Sequence, residues 1–200
     1  GKYATNRYKY SLKNIPSVID GLSDQVEVLG VETTRKPQLG WLNNNSFDFN
    51  SLKNNNFFLI NPGCSKKNIQ KKWSAENYSK VCSYLVSKNI LPIVIGSSED
   101  KESINTIQKN EKRILNLINK SPLEVIFQLS HKAIGAISND TGPAHLIAAS
   151  GCKIHLVLSN FSNTKTVIPQ GSNVTFTQKE NIEHNLVADI IDQLKEKFNL

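Results

Sequence analysis

The sequence contains no methionine, only three cysteines and no long apolar run. Because methionine is missing from position 1 as well, we expect the chain to be a fragment of a longer gene product. Cys64, Cys82 and Cys152 form no Cys-x-x-Cys pair and leave one residue over, which argues against a disulfide framework and a zinc site. No stretch approaches about 18 consecutive apolar residues, and basic side chains interrupt the first part of the chain, so we expect neither a membrane span nor a signal peptide. These absences predict a cytoplasmic protein with reduced thiols.

Arginine is also scarce, although the chain is strongly basic. It carries 24 basic and 17 acidic residues, for a net charge of +7, and only Arg7, Arg35 and Arg113 are arginines. Arginine is the side chain that binds phosphate through two parallel hydrogen bonds, and it is scarce here. No aromatic side chains on which bases could stack are interleaved with the basic residues, so we expect no nucleic-acid partner. We interpret most of the charge as a solvated lysine surface. A phosphorylated ligand or an anionic lipid is the alternative.

The composition otherwise fits a globular protein, since 38% of the 200 residues are hydrophobic and 20% are charged. Residues 1–56 differ from the rest. They contain an amphipathic stretch at 8–15, a predicted short strand at 26–31 and polar asparagine runs that are typical of a linker. We therefore interpret residues 1–56 as the end of a first domain with an interdomain linker, and residues 57–200 as a second domain.

From residue 57 onward, short apolar runs alternate with helical patterns. Runs of this kind, apolar on both faces, are typical of strands that helices cover on both sides. The pattern predicts the α/β class, with a Rossmann-like, doubly wound parallel sheet. The predicted strands are 57–60, 91–95, 114–118, 133–137, 154–158 and 174–177, and a closing helix is predicted at 182–198.

Capping signals mark several of the predicted helices. Ser121 to Glu124 form a capping box with proline at the first helical position, and Ser74 is the predicted N-cap of a helix whose apolar stripe begins at Tyr78. Gly151 is placed to end the helix that precedes it.

Ligands of a doubly wound sheet bind beyond the carboxyl ends of its strands, so the loops there are candidate sites. The loop at 61–73 turns sharply at Pro62 and Gly63 and carries four lysines. Its backbone N–H groups and lysines could form an anion cradle. The alternative interpretation is an exposed loop in a lysine-rich protein.

The loop at 138–145 is a more specific candidate. Thr141 can serve as a helix N-cap, Gly142 lets a ligand approach the backbone, and Pro143 fixes the first turn. The exposed N–H groups and the helix dipole at such a position favour a phosphate, and the side chain of His145 can point back toward it. The alternative is an ordinary helix start with a half-buried histidine.

Several motifs with known chemistry are missing. The sequence has no Gly-x-Gly-x-x-Gly after its first strand, no phosphate-binding P-loop and no Asp-x-Asp pair. Its four histidines do not cluster with carboxylates at metal-ligand spacing. We therefore predict no metal site and no cofactor, and lysines and backbone groups would have to meet any leaving-group charge.

Five short segments of the sequence are informative when they are taken together. They are Pro-Gly-Cys-Ser at 62–65, Lys-Lys-Trp at 71–73, Ile-Gly-Ser-Ser-Glu-Asp at 95–100, Ser-Pro-Leu-Glu at 121–124 and Asn-Asp-Thr-Gly-Pro-Ala-His-Leu at 139–146. In order and spacing they resemble the carboxyl-terminal half of the family 9 glycosyltransferases, the heptosyltransferases of lipopolysaccharide core assembly. The resemblance covers about residues 57–200. The segment at 37–42 is similar to the family's bridge out of its first domain.

The resemblance implies the second domain of a GT-B glycosyltransferase, which holds the donor ADP-heptose. Carried over by position, the donor-binding residues would be Cys64, Ser65, Lys71, Asp100, Asp140, Thr141, Gly142 and His145. Cys64, Ser65 and Lys71 would face the phosphates, with Lys66, Lys67 and Lys72 as alternatives to Lys71. Asp100 would contact the ribose, and the other four would contact the diphosphate and the sugar. After the strand at 154–158, Ser159 and Asn160 stand where the family usually has a glycine.

The activity implied is inverting, metal-independent transfer of a heptose or a similar sugar to a lipid-linked saccharide of the lipopolysaccharide core. The general base would lie on the first domain, outside this chain. A lipid-linked acceptor makes peripheral contact with the inner face of the inner membrane reasonable. The alternatives are a nucleotide-sugar binding module that is inactive on its own and a sugar-nucleotide epimerase of the same architecture.

Overall fold

The structure is a computed structural model that describes residues 18–33, 37–43, 47–52, 55–64 and 66–200. The predicted amphipathic stretch at 8–15 lies outside the described residues. So does Ser65, one of the predicted donor-binding residues.

All six predicted strands are present and form one parallel sheet. They are β1 (Phe57–Asn61), β2 (Leu91–Gly96), β3 (Leu115–Ile118), β4 (Gly135–Ser138), β5 (Ile154–Ser159) and β6 (Val174–Lys179). Their spatial order is β3-β2-β1-β4-β5-β6. Successive strands are added toward one edge from β1 to β3 and toward the other edge from β4 to β6. This switch confirms the predicted doubly wound, Rossmann-like arrangement.

Helices follow most of the strands and cover both faces of the sheet. The α-helices are α1 (Val18–Glu27), α2 (Ala75–Ser87), α3 (Lys101–Asn110), α4 (Leu123–Lys132), α5 (Gly142–Ala149), α6 (Thr164–Val167) and α7 (Val187–Phe198). Short 3₁₀ segments occur at Gly40–Leu42, Phe49–Leu52, Lys66–Lys71, Ser98–Asp100 and Ile182–His184.

Two hydrophobic layers hold the helices to the sheet. Neighbouring residues of β1 point to opposite faces, so Leu59 packs in the layer beneath α4 and α5, whereas Phe58 and Ile60 pack beneath α2, α3 and α7. All three side chains are fully buried. This two-sided burial explains why the central strands read as continuous apolar runs in the sequence.

The strand predicted at 26–31 is wrong. Helix α1 continues to Glu27, and the following turn contains Gly30 with a φ of +77°. Val28 and Val31 are exposed, and the sheet of the described residues does not include them. A β-branched run forms a strand only where a neighbouring strand can take up its backbone hydrogen bonds.

Two helix starts also differ from the predictions. The closing helix α7 begins at Val187, five residues later than expected, because the buried Asn185 side chain donates to the carbonyl oxygens of Leu158 and Ile182 and interrupts the helix. The capping box predicted at 121–124 is also wrong. Pro122 is the N-cap of α4, and the Ser121 hydroxyl donates to the Leu117 carbonyl instead.

The other predicted capping residues occupy the expected positions at the ends of α2 and α5. Ser74 and Thr141 are the N-cap residues of α2 and α5, although neither hydroxyl bonds to the first turn. Gly151 follows α5 with a φ of +87°, as expected for a glycine that ends a helix.

Candidate functional site

A large cleft opens where the strand order reverses, at the carboxyl ends of β1, β2 and β4. Its volume is about 890 Å³, within the range of small-molecule sites. Both loops predicted as sites contribute to its wall, as does the start of α4. We call it the switch-point cleft.

The two predicted loops meet because β1 and β4 are neighbours. Asn61 ends β1 opposite Ser138 of β4, and its side-chain amide donates to the hydroxyls of Ser138 (2.8 Å) and Thr141 (2.7 Å). Asn61 is buried, so these bonds replace the water that its amide would otherwise bind. The pairing fixes the start of α5 against the end of β1.

Asn139 makes a second link between the loops. Its Nδ2 donates to the carbonyl oxygens of Pro62 and Gly63, both at 3.1 Å. Its Oδ1 accepts from the Trp73 backbone N–H (3.2 Å) and the Tyr78 hydroxyl (3.0 Å). Since Asn139 is fully buried, the four bonds satisfy an amide that would be costly to leave unpaired. The floor of the cleft is therefore a rigid, hydrogen-bonded unit.

The N-terminus of α5 faces this cleft. The Thr141 hydroxyl is engaged with Asn61, so no side chain caps the first turn of α5. A Cβ built on Gly142 would have no protein atom within 4 Å, and its backbone needs no left-handed conformation. Neither packing nor backbone geometry therefore explains glycine at this position. An uncapped helix start with open space above it is suited to an anion.

Lys71 and Asp140 form an ion pair at the edge of the cleft. The Lys71 Nζ lies 2.9 Å from the Asp140 Oδ2, and the exposed fractions of the two side chains are 18% and 12%. The Ser162 hydroxyl donates to the same oxygen at 3.1 Å. The arrangement places one cation, held by a mostly buried carboxylate, beside the uncapped turn of α5.

His145 lies one turn into α5 and lines the cleft while remaining exposed to solvent. Surrounding protein desolvates the imidazole and lowers its pKa below 6.5, and the Asp140 carboxylate opposes that shift. The ring is therefore mostly neutral at pH 7. A neutral imidazole offers one hydrogen-bond donor and one acceptor to a ligand.

Asp100 has a structural role at the far side of the cleft. Its Oδ2 accepts from the backbone N–H (3.0 Å) and hydroxyl (3.1 Å) of Ser97 in a capping box. A Cβ on Gly63 would come within 2.9 Å of this carboxylate, and one on Gly96 within 3.1 Å. Asp100 therefore explains Gly63, and Asp100 together with the Ile104 side chain, which a Cβ on Gly96 would approach to 2.9 Å, explains Gly96. Among these three glycines, Gly142 is the one without a packing reason.

Two predicted side chains of the 61–73 loop, those of Cys64 and Lys71, line the switch-point cleft. The Cys64 thiol lines the cleft and donates to the Asn68 carbonyl oxygen at 3.2 Å. Lys71 faces the switch-point cleft, whereas Lys72 lines a different one. The side chains of Lys66 and Lys67 lie outside the described atoms. Among the lysines that can be compared, the geometry favours Lys71 over Lys72.

That different cleft, of about 740 Å³, lies beside the first at the carboxyl ends of β5 and β6. We call it the edge cleft. Its wall includes the exposed side chains of Ile69 and Phe161 and also Asn160. Ser159 is buried and donates to the Gln70 carbonyl at 3.1 Å. Neither Ser159 nor Asn160, which replace the glycine expected here, lines the switch-point cleft.

Seven of the eight predicted residues are described by the structure, and all seven line this one cleft, while their roles in binding stay predictions. Sequence reasoning did not assign Asn61, Ser97 or Ser162 to the site. Asn61 is recognisable only once β1 and β4 are paired, and Ser162 only once its loop is folded. Asn139 stands inside the quoted motif, but its linking role has no sequence signal.

Within the described part of the chain, no group of three or more His, Cys, Asp or Glu side chains is arranged to hold a metal ion. Among the same residues, no helix has the length and apolar character needed to cross a membrane.

A family model described as glycosyltransferase family 9 (heptosyltransferase) matches residues 22–189. Three solved structures share the fold. The Escherichia coli ADP-heptose LPS heptosyltransferase II is 16% identical with a TM-score of 0.66, and the match covers 72% of this chain and 47% of that chain. A family 9 glycosyl transferase from Veillonella parvula is 16% identical with a TM-score of 0.69, and the match covers 76% of this chain and 49% of that chain. The E. coli heptosyltransferase WaaC with ADP is 17% identical with a TM-score of 0.64, and the match covers 73% of this chain and 47% of that chain. The chain spans about half the length of these structures. No curated protein matches it by sequence.

Proposed function

The chain belongs to glycosyltransferase family 9, and from that premise we propose that its switch-point cleft binds a nucleoside diphosphate sugar, the donor in a sugar transfer. Its fold is that of one half of a GT-B glycosyltransferase. The observation that carries the proposal is the uncapped N-terminus of α5 beside the Lys71–Asp140 pair, with open space above Gly142. Diphosphate is the part of such a donor that this chemistry suits.

Part of the cleft wall is apolar and suits the nucleoside. Ile95 and Gly96 at the end of β2, with Pro122, Leu123 and Ile126 of the α4 region, line it. A flat base can lie against such a wall while the ribose and diphosphate extend toward α5. We propose adenine as the base, since WaaC is a structural neighbour that was solved with ADP. The proposed donor is ADP-heptose or a similar ADP-sugar, and no cofactor is required.

The proposed reaction is transfer with inversion. An acceptor hydroxyl attacks the anomeric carbon, the bond from that carbon to the diphosphate oxygen breaks on the opposite face, and the hydroxyl proton passes to a general base. We place this base on the first domain of a complete enzyme, outside this chain. Negative charge grows on the departing diphosphate, and Lys71 with the first-turn N–H groups of α5 would stabilise it without a metal ion.

We propose a lipid-linked saccharide of the lipopolysaccharide core as the acceptor. Support comes from the E. coli neighbour described as an LPS heptosyltransferase. Such an acceptor would bring the enzyme to the inner face of the inner membrane, where the net charge of +7 favours anionic headgroups. We place the transfer reaction on the cytoplasmic side of that membrane.

Calorimetric titration of the 200-residue chain with ADP, UDP, GDP and an ADP-sugar tests the donor assignment. We expect the tightest binding for the ADP series and a loss of at least tenfold in ADP-sugar affinity in Asp140→Ala, because we propose that this carboxylate contacts the sugar of the donor. Asp192→Ala is the matched control, since Asp192 forms an exposed ion pair with Lys195 on α7. Equal affinity for all nucleotides, or no effect of Asp140→Ala, would contradict the assignment.

The same titration separates the alternatives. An isolated binding module would bind the ADP-sugar and release no ADP when acceptor is added. An epimerase or a hydrolase would convert the ADP-sugar without acceptor. The match to a transferase family model favours transfer over both.

A further inference from the structure

We propose that Ser162 is a positioning residue for Lys71, because it keeps Asp140 hydrogen-bonded when Lys71 turns from that carboxylate to a phosphate group. The proposal rests on the function proposed above only in naming the phosphate as part of the donor. The hydrogen bond from Ser162 to Asp140 belongs to the chain itself and can be tested without any ligand.

The Asp140 carboxylate is held by two side-chain donors at one of its oxygens. The Lys71 ammonium (2.9 Å) and the Ser162 hydroxyl (3.1 Å) both donate to Oδ2. Only 12% of the Asp140 side chain is exposed, so little water can replace a lost donor. A diphosphate anion that enters the cleft competes with Asp140 for Lys71. If Lys71 were its sole partner, Asp140 would then become a mostly buried charge without a donor, which is strongly unfavourable.

The loop that carries Ser162 is built to hold it in place. Ser162 is almost completely buried, and its backbone N–H donates to the Ser159 carbonyl at 2.9 Å. The Gln178 amide of β6 donates to the carbonyl oxygens of both Ser159 (3.0 Å) and Ser162 (2.9 Å). The loop is thereby tied to the edge of the sheet. Its hydroxyl stays in position whichever partner Lys71 takes.

Ser159, the last residue of β5 and the first of this turn, also contacts the segment that carries Lys71. The Ser159 hydroxyl donates to the carbonyl oxygen of Gln70, the residue before Lys71. One turn therefore fixes both the carboxylate and the backbone from which the lysine extends. Lys71 is left free to move at its side chain alone, which is what an exchange of partners requires.

A double-mutant cycle in unfolding free energy tests the inference without a ligand. Lys71→Met removes the ammonium and so imitates a lysine that has turned away. We expect Ser162→Ala to raise the unfolding equilibrium constant about fivefold in the native background, and by a clearly larger factor, about 25-fold, in the Lys71→Met background. Equal factors in the two backgrounds would overturn the inference. Ser162→Cys, which keeps the shape and weakens the donor, takes its place in the cycle if Ser162→Ala does not fold.

A binding measurement then connects the residue to the phosphate. We expect Ser162→Ala to weaken ADP binding at least fivefold while adenosine binding stays unchanged, and Ser162→Thr, which retains a hydroxyl, to restore ADP affinity. Ser130→Ala is the control, since Ser130 is a buried serine whose hydroxyl bonds to the Ile126 carbonyl within α4. Equal losses for ADP and adenosine would indicate a purely structural role and refute the proposal. A native chain that binds no nucleotide would contradict the proposed function, whereas the unfolding cycle would still decide the role of Ser162.

Discussion

Gly142→Ala is expected to change stability and ligand affinity in opposite directions. The new methyl group would have no protein atom within 4 Å, and the residue needs no left-handed backbone. Alanine restricts the unfolded chain more than glycine does and favours helix, so the free energy of unfolding should rise by about 0.5 kcal/mol. In the complex, the methyl group would occupy the space in which a diphosphate approaches the first turn of α5.

The loss of affinity follows from the bonds that the methyl group would displace. A hydrogen bond between a backbone N–H and a charged oxygen contributes about 1.5–3 kcal/mol. Obstructing one such bond should therefore weaken ADP binding by about tenfold or more. Urea denaturation measures the first effect, and calorimetric titration with ADP measures the second.

Gly63→Ala is the matched comparison, because its Cβ would approach the Asp100 carboxylate to 2.9 Å and should lower stability. The reasoning is refuted if Gly142→Ala binds ADP as tightly as the native chain, since the open space above α5 would then not be a ligand site. A marked loss of stability in Gly142→Ala would also refute it. In that case a protein contact, rather than a ligand, would account for glycine at this position.

Two further predictions concern charged or titrating side chains. Lys71→Met should weaken binding of ADP at least tenfold and of adenosine much less, because the lysine would meet the phosphates; equal losses in parallel titrations would assign Lys71 to packing. Burial, with a smaller effect of the Lys197 charge, lowers the pKa of His155 from 6.5 to about 4. The unfolded chain therefore binds a proton between these values while the folded chain does not, so stability falls as the pH is lowered from 6.5 to 4, by up to about 3 kcal/mol. Urea midpoints at pH 7 and pH 4.5 measure this, and a His155→Gln variant with the same pH dependence as the native chain would show that another group is responsible.

The fold was accessible from the sequence because its strands are buried on both faces. The run 57–60 is apolar at every position and the run 154–158 at every position except the buried His155, and the structure places strands on both. The strand predicted at 26–31 fails for the complementary reason. Its composition favours a strand, but the sheet offers it no neighbour, and pairing is a property of the whole fold rather than of the segment.

Only part of the candidate site could be predicted from the sequence. The residues that would contact a ligand are close together in the chain, whereas the residues that hold them in place are distant. Asp140, Thr141, Gly142 and His145 lie at one junction between a strand and a helix, and the residue types at such a junction can be recognised in the sequence. The groups that hold this loop come from elsewhere: Asn61 lies about 80 residues earlier in the chain, and Ser162 reaches Asp140 across 22 residues. Serine and asparagine are common in loops, so nothing distinguishes these two until the β1–β4 register and the turn after β5 are known. Asp100 illustrates the same limit, because the resemblance implies a ribose contact, which stays a prediction, whereas its hydrogen bond with Ser97 is visible only in the structure. Residues that bind a ligand can thus be proposed from motifs, whereas residues that position them follow from the fold.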